Sequence, residues 1–332
     1  MRIAGTDLRP RLKEALERKG VPPADAALAA ETLVDAELEG QGSQGLSRFP
    51  MMLERLHSGS IAARPEMTVH GDGAVRRLDA GNGLGQVAGA RALDLAIDLA
   101  RHYGTGLVAV RASNHLGALD FHVRRAAAVG LIAVALSNTP PAMAPPGTGT
   151  RYLGTNPIAA AFPTEGEPVV VDMGTSQVAR GRVVEARQAG RPIPEGWAVD
   201  AEGRPTTDPT AALAGAMVPM GGDKGFALAL LVEMLAAVLS GAAIGPQVGD
   251  RFKAPTNFGH AFWVIDPDAA ASGFAARAQG VVDDLHRLGA RVPGDRRRAE
   301  RARREREGIE VPEHLRAELE RALGRPLEGA AH

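Results

Sequence analysis

The stretch Gly81-Asn82-Gly83-Leu84-Gly85 decides which kind of α/β protein this chain forms. It follows an alternating, strand-like run (MTVHGDGAVRRLDA, residues 67–80) and precedes a helical pattern over 86–102. A Rossmann fingerprint carries G-x-G-x-x-G at such a junction, because its glycines let a pyrophosphate reach the helix N-terminus. Here the third glycine falls one place early. The following strand also ends in Arg111, with no acidic residue to hold a ribose hydroxyl. The stretch therefore reads as a tight strand-to-helix turn, and the expected fold is α/β without a Rossmann domain.

Upstream, residues 8–39 and 48–58 repeat apolar residues at helical spacing, and Gly40, Gly42 and Gly45 break them with a loop carrying Ser43, Gln44 and Arg48. Downstream, GLVAVRAS reads as a strand, residues 114–130 as a helix, LIAVALSN as a second strand and VVVDMGTS as a buried strand entering a loop. The Pro- and Gly-rich segment 139–156 reads as ordered loop. A core helix is expected over 224–240, AFWVID forms a late strand, and two charged helices split by Gly308 to Pro312 close the chain. Strands alternating with helices indicate α/β architecture, and the helical opening and ending are expected to pack together as a lobe.

Composition narrows the function. Of 332 residues, 45% are hydrophobic and 23% charged, enough to bury a core. A net charge of −1 gives no basic field for nucleic acid. The run Asp295–Glu307 mixes seven arginines with four acids, which reads as a solvated helix. The absence of cysteine excludes disulfides and thiol nucleophiles and fits a reducing compartment, so a cytoplasmic location is expected. The N-terminus has no apolar h-region, and Glu233 interrupts the one long apolar stretch, Phe226 to Gly245, so neither a signal peptide nor a membrane span is expected. Histidines lack the H-x-x-x-H spacing of a metal site, and no G-x-S-x-G elbow marks a serine hydrolase.

Three features suggest chemistry. His115, in Ser113-Asn114-His115, ends an apolar strand, where α/β proteins place their sites. A neutral-range imidazole can exchange a proton there, though a structural histidine fits the sequence as well. Gly221-Gly222-Asp223-Lys224-Gly225 opens a helix, and a lysine at a helix N-terminus opposes the dipole unless an anion is present. An ordinary glycine-rich turn is the other reading. Arg48 suits a carboxylate clamp, because guanidinium binds carboxylate bidentately.

GSQGLSRFP, SNHLGAL, LGTNPIAAAFP, VVDMGTSQVARG, IPEGWAVDAEGRPTTDP, PMGGDKGFALALLVEML and VPGDRRR together resemble the malate/L-lactate dehydrogenase family, which is unrelated to the Rossmann-type enzymes, nearly end to end. The family also includes sulfolactate and ureidoglycolate dehydrogenases and reductases of piperideine-2-carboxylate and pyrroline-2-carboxylate. The resemblance implies a mixed sheet binding NAD or NADP, a small 2-oxo or 2-hydroxy carboxylic acid as substrate, and a homodimer. It implies three parts: a helical segment 1–70, a cofactor-binding domain 71–275, and C-terminal helices 276–332 packed on the first. His115 matches the general acid/base and Arg48 the carboxylate grip, with Ser43 and Gln44 beside it. Ser137, Asn156, Pro157, Asp172, Met173, Gly174, Ser176, Gly222 and Lys224 match cofactor-lining positions, and Gly294, Asp295 and Arg296 a loop near the adenosine end.

Two departures stand out. The family usually has histidine where Gln44 stands and often tyrosine where Met52 stands, both facing the substrate in relatives. A protonated cyclic imine needs no enzymic acid when it accepts hydride, so Gln44 keeps an imine reductase open as an alternative to a 2-hydroxy-acid dehydrogenase. A non-catalytic nucleotide-binding descendant is a third reading, and a binding protein acting through its charged tail a fourth.

Overall fold

A computed structural model describes residues 1–249 and 255–327. The elements run β1 (Arg2–Ile3), α1 (Gly5–Arg18), α2 (Pro23–Leu38), α3 (Phe49–His57), β2 (Thr68–His70), β3 (Val75–Asp79), α4 (Gly85–Tyr103), β4 (Thr105–Ser113), α5 (Leu119–Ala127), β5 (Ile132–Ser137), β6 (Ile158–Phe162) and β7 (Val169–Met173). There follow α6 (Arg180–Gln188), β8 (Ala198–Val199), β9 (Pro205–Thr206), α7 (Pro209–Ala214), β10 (Ala216–Met217), α8 (Asp223–Glu233), β11 (Phe258–Ile265), α9 (Phe274–Arg287), α10 (Asp295–Glu307), β12 (Ile309–Glu310) and α11 (Glu313–Leu323).

Seven strands form a mixed sheet in the order β2-β3-β4-β11-β5-β6-β7. β3 and β4 are parallel, and the other neighbours are antiparallel. That arrangement points β3, β4, β5 and β7 the same way. One face is covered by α4 and α5, whose Ala88, Ala92, Leu93 and Val123 bury against Val108, Val110, Phe262 and Val264. On the opposite face Val232 and Ala236 pack on Leu136 and Ala261. Such a helix–sheet–helix stack lets every central strand bury both its faces.

The chain ends meet. Leu8, Leu12 and Leu16 recur every four residues along α1, and they share one core with Leu33, Phe49, Leu53, Leu315, Leu319 and Leu323. β1 pairs with β12 beside that core. A smaller core gathers Met143, Leu153, Val183, Ile193 and Ala198 beneath the three-stranded sheet β10-β8-β9.

Four local expectations differ from the structure. The helix after His115 starts only at Leu119, because Gly117 takes φ +83° and breaks the helical path. VVVDMGTS is an edge strand and only half-buried. Ahead of the two charged helices lies a third, α9. The helix of 224–240 is α8 followed by a π turn at Met234–Val238, and only one of its sides is buried. No helix among the described residues is long and apolar enough to cross a membrane.

Candidate active site

The glycines of the opening turn serve packing. A side chain at Gly81 would meet the Glu66 carbonyl, one at Gly83 the Pro65 ring, and one at Gly85 the carbonyls of Asn114 and His115. Gly85, the first residue of α4, thus lets that helix abut the loop that carries His115. The loop itself is locked by Asn114, which is fully buried. Its Nδ2 donates to the carbonyls of Asn82 (3.2 Å) and Gly83 (2.8 Å), and its Oδ1 accepts from Arg55 Nη2 (2.7 Å) and Thr256 Oγ1 (2.9 Å). Ala112 just before it holds φ +51°, a costly conformation for alanine, with its N–H donating to Asn257 Oδ1 at 2.8 Å. His115 therefore projects from an over-determined loop, and its Nδ1 accepts the Gly117 N–H at 3.1 Å.

Arg48, Met52, Arg55, Gly85, Gln86 and His115 are among the residues that line one narrow cleft, with about 310 Å³ of empty space including its mouth. Arg48 Nε donates to the Ser43 carbonyl at 2.6 Å, which fixes the guanidinium against its own loop. Ser43 and Gln44 occupy a 3-10 turn at Gly42–Gln44, and a side chain at Gly181 would touch Ser43. Gly45 fits only without a side chain, since Glu37 Oε1 would lie 2.5 Å from its Cβ. That same oxygen accepts the Leu46 N–H at 2.8 Å, and burial pushes the Glu37 carboxyl above its ordinary range.

Ser137, Asn156, Pro157, Asp172, Met173, Gly174 and Ser176 gather toward one end of the sheet, where β4, β5 and β7 finish and β6 and β11 begin, while Gly294, Asp295 and Arg296 lie beside the start of β7. The register runs Ser113 opposite Phe258, His260 opposite Ser137, Leu136 opposite Ile158, and Ile158 opposite Met173. Ser137 Oγ donates to the Asn138 carbonyl (2.9 Å) and meets His260 Nδ1 (2.9 Å). Asn156 Nδ2 donates to Glu233 Oε2 at 2.8 Å, and Glu233 Oε1 accepts from Asn138 Nδ2 and the Gly245 N–H. A carboxylate buried in α8 thus fixes the loops after β5 and before β6, with Pro157 accepting from the Ser137 N–H. On the edge strand Met173 is exposed, and Gly174 and Ser176 lead toward the turn before α8. There Met220 N–H donates to the Thr175 carbonyl (3.0 Å), and Gly225 packs where a side chain would strike Met220.

Gly221 and Gly222 take φ +60° and +64°, opening α8 without a side-chain cap, and Lys224 stands exposed in its first turn. Uncapped N–H groups beside an unburied cation are the donor set a pyrophosphate requires, so these residues fit a nicotinamide dinucleotide. Gly294, Asp295 and Arg296 start α10, where the Pro293 carbonyl accepts the Val170 N–H of β7. The His286 hydrogen bond holds the Asp295 carboxyl below its ordinary range.

α10 does not behave as a solvated helix on all sides. Arg297, Arg301 and Arg304 point inward from one face, to Asp120 (2.5 Å), to Asp35 and Glu39 (2.5 and 2.8 Å), and to the Glu37 carbonyl (2.7 Å). Gln41 Nε2 also donates to Asp120, and Arg297 Nη2 donates to the Asp172 carbonyl. Burial, with Asp120 close by, pushes Asp172 and Glu39 each up to about 7. Burial also acts upward on Asp120, but the Glu39 hydrogen bond and the Arg297 guanidinium hold it below its ordinary range.

Reading the sequence missed His260, Arg55 and Gln86. His260 sat unnoticed inside a strand, yet it is fully buried, and burial brings it down to about 3, so it is neutral behind Ser137. Arg55 is a buried arginine on an otherwise apolar helix face, and Gln86 directly follows the glycine turn; both were visible as exceptions to their local pattern.

The whole chain has relatives with the same organisation. A (2R)-3-sulfolactate dehydrogenase (NADP(+)) of Chromohalobacter salexigens is 46% identical over 312 residues, covering 92% of this chain and 93% of that protein. A Delta(1)-pyrroline-2-carboxylate/Delta(1)-piperideine-2-carboxylate reductase of Pseudomonas syringae pv. tomato is 40% identical and covers 94% of each chain. The solved sulfolactate dehydrogenase of Methanocaldococcus jannaschii superposes with a TM-score of 0.91 at 35% identity, covering 98% of both chains. The model of the malate/L-lactate dehydrogenase family matches residues 3–320, which takes in the terminal helices, the mixed sheet and every segment of the site. On that match and these likenesses, the chain belongs to the malate/L-lactate dehydrogenase family.

Proposed function

We propose that this protein is an oxidoreductase that moves hydride between NAD(P)H and a small 2-oxo acid, giving the 2-hydroxy acid. One observation carries the reading: Arg48 and His115 line a single cleft, so a carboxylate-binding cation and a proton donor face the same small space. Arg48, steadied through Ser43 with Gln44 alongside, grips the substrate carboxylate through its guanidinium. His115 gives its proton to the forming alkoxide and takes it back when the reaction reverses. The rigid loop around Asn114 keeps that imidazole in place at no further entropic cost.

When bound, the dinucleotide would supply the hydride. Ser137, Asn156, Pro157, Asp172, Met173, Gly174 and Ser176 would hold it along the sheet end, with Gly222 and Lys224 meeting its phosphates. Gly294, Asp295 and Arg296 would face its adenosine end. In this reading residues 71–275 form the cofactor-binding domain, and residues 1–70 with 276–332 form the helical lobe, supported by the core that both chain ends share.

The working unit is proposed to be a cytoplasmic homodimer that binds no nucleic acid. Leu231, Met234, Leu235, Val238 and Leu239 are 39–49% exposed along the outer side of α8 and its π turn, an apolar row that suits a second copy. The inward-facing arginines of α10 are engaged by carboxylates, and a chain without cysteine suits a reducing compartment.

The test is NADH and NADPH oxidation by the purified protein with a panel of 2-oxo acids and cyclic imino acids. Keto-acid turnover that drops about 10²–10⁴-fold in His115→Ala is expected; no turnover with either coenzyme overturns the reading. Gln44, which cannot titrate, favours a second reading, reduction of cyclic 2-imino acids, as in the Pseudomonas relative. In that case Gln44→His raises keto-acid turnover relative to imine turnover, and an unchanged ratio removes it.

A further inference from the structure

The loop from Gln41 to Arg48 is pinned by two carboxyl side chains, and α10 stands behind both. The loop carries Ser43, Gln44 and Arg48 on two short 3-10 turns, Gly42–Gln44 and Leu46–Arg48. Such turns have poor hydrogen-bond geometry of their own, so outside partners decide how firmly they are held. At the start of the loop the Gln41 carbonyl accepts the Gln44 N–H at 2.7 Å, and Gln41 Nε2 donates to Asp120 Oδ2 at 2.7 Å. Further along, the Leu46 N–H donates to Glu37 Oε1 at 2.8 Å.

α10 meets both of these carboxyl residues. Arg297 Nη1 donates at 2.5 Å to the same Asp120 oxygen that takes Gln41, and Arg297 Nη2 donates to the Asp172 carbonyl on β7 at 2.8 Å. Asp120 is 1% exposed, so its carboxylate depends on these donors. Two turns further along the helix, Arg304 Nη1 donates to the Glu37 carbonyl at 2.7 Å. A side chain at Gly40 would lie 3.1 Å from Glu300 Cγ, so α10 packs directly against the residue before the loop. A stabilising ion pair needs only one cation and one anion. This one adds Gln41 on one side and β7 on the other, and so joins the loop of Arg48 to the strand proposed to line the coenzyme.

We infer that Gln41 and Arg297 are positioning residues that act through Asp120, tying the carboxylate-gripping loop to the start of α10 and to Asp172, so that a coenzyme seated there orders the loop for the acid. Both act through the loop and not on the reacting atoms. Coenzyme held against Asp172 and the Gly294 to Arg296 turn removes freedom from β7 and α10. The loop then has less freedom left to lose when the acid binds, and the two ligands favour each other. The inference rests on the proposed placement of coenzyme and acid.

The experiment follows hydrogen exchange of the full-length protein by mass spectrometry, with and without NADH or NADPH. Steady-state kinetics on the 2-oxo or 2-imino acid turned over fastest accompany it. In the wild type, coenzyme alone is expected to slow exchange of the 41–48 amides about 10-fold. Gln41→Met, which removes the donor, and Arg297→Lys, which keeps the charge but loses the two-pronged fork, are expected to abolish that slowing. Each should raise KM for the acid about 10-fold, with kcat within about 2-fold of wild type. Because both act through Asp120, the double variant should be no worse than the poorer single one. Residues that serve stability alone give another pattern: exchange rises equally with and without coenzyme, kcat falls, and the two effects add. That pattern overturns the inference and leaves the oxidoreductase reading standing, as does a wild-type loop whose exchange coenzyme leaves unchanged. Gln41→Met keeps the Arg297–Asp120 pair intact and carries the test should Arg297→Lys not fold. A wild type that neither binds coenzyme nor turns over any of these acids removes the underlying reading, and the coupling with it.

Discussion

Asn114 shows how a single side chain can set a loop of the candidate active site. Its carboxamide bridges the glycine turn, α3 and the segment at Thr256, donating on one side and accepting on the other. Alanine at this position would take one acceptor from the buried Arg55 guanidinium and the Asn114 Nδ2 donor from the Gly83 carbonyl. Each such loss costs about 1–3 kcal/mol. Asn114→Ala is therefore expected to lose about 2–4 kcal/mol in urea unfolding and to depress kcat, because His115 follows directly on the loosened residue. A variant with wild-type stability and activity would show that the loop is held by something else. The flanking backbone agrees with this account, since Ala112 keeps a left-handed φ only while its neighbours over-determine it.

At the scale of elements, α8 carries two roles on two sides. Its inner side buries Glu233 among amide donors and presses the π turn onto the sheet, where Gly259 leaves room for the Ala236 carbonyl. Its outer side exposes the apolar row of Leu231, Met234, Leu235, Val238 and Leu239. Two glutamates in that row, Leu231→Glu with Val238→Glu, are expected to convert a dimer to a monomer in sedimentation velocity, with the fold retained by circular dichroism. A wild type that sediments as a monomer would remove the proposed role of this face. The sequence revealed α8 as an apolar helix and not its two-sidedness, because an all-round hydrophobic pattern looks the same whether a neighbouring element or another chain covers it. The strands from GLVAVRAS to AFWVID were legible because alternation and β-branching are local. Strand order was not, since β11 enters the centre of the sheet between β4 and β5 from far along the chain. The candidate site was legible in the same measure. His115, Arg48 and the glycine turn before α8 stand out as residue types in context, while Gln86 and His260 acquire meaning only when burial isolates their polar atoms. The arginines of α10 read as solvated because the acids that receive them sit on α2 and α5, over 150 residues away in sequence.

For the whole molecule, buried titratable groups of opposite kind balance one another. Burial raises Glu39 and Asp172 to about 7, and burial lowers His122 to about 4 and His260 to about 3. The two carboxyls keep protons in the folded state that the unfolded chain sheds above its ordinary carboxylate range. Their contribution is complete below about pH 4 and is lost as pH rises through 7. The two histidines refuse protons that the unfolded chain accepts below about pH 6.5, so their contribution is complete above that pH and is lost as pH falls toward 4 and 3. Between about pH 5 and 6.5 the two histidines oppose these two carboxyls, and their slopes of about 1.4 kcal/mol per pH unit per proton cancel. Stability is thus expected to vary gently across that window, and the raised Glu37 carboxyl makes what slope remains a fall with rising pH. Below about pH 4 it should fall steeply, where the histidines act without opposition and the lowered Asp120 and Glu300 begin to protonate. Urea unfolding at half-unit pH steps measures this directly. Removing one member should unmask the other side. His122→Leu, a change in the contact between Phe121 and Phe262, should shift the slope by about 1.4 kcal/mol per pH unit toward falling stability with rising pH, relative to wild type. Glu39→Gln, which keeps a donor for Asp120, should shift the slope by the same amount in the opposite sense, relative to wild type. Parallel slopes in the two variants would mean that these four groups do not govern the balance.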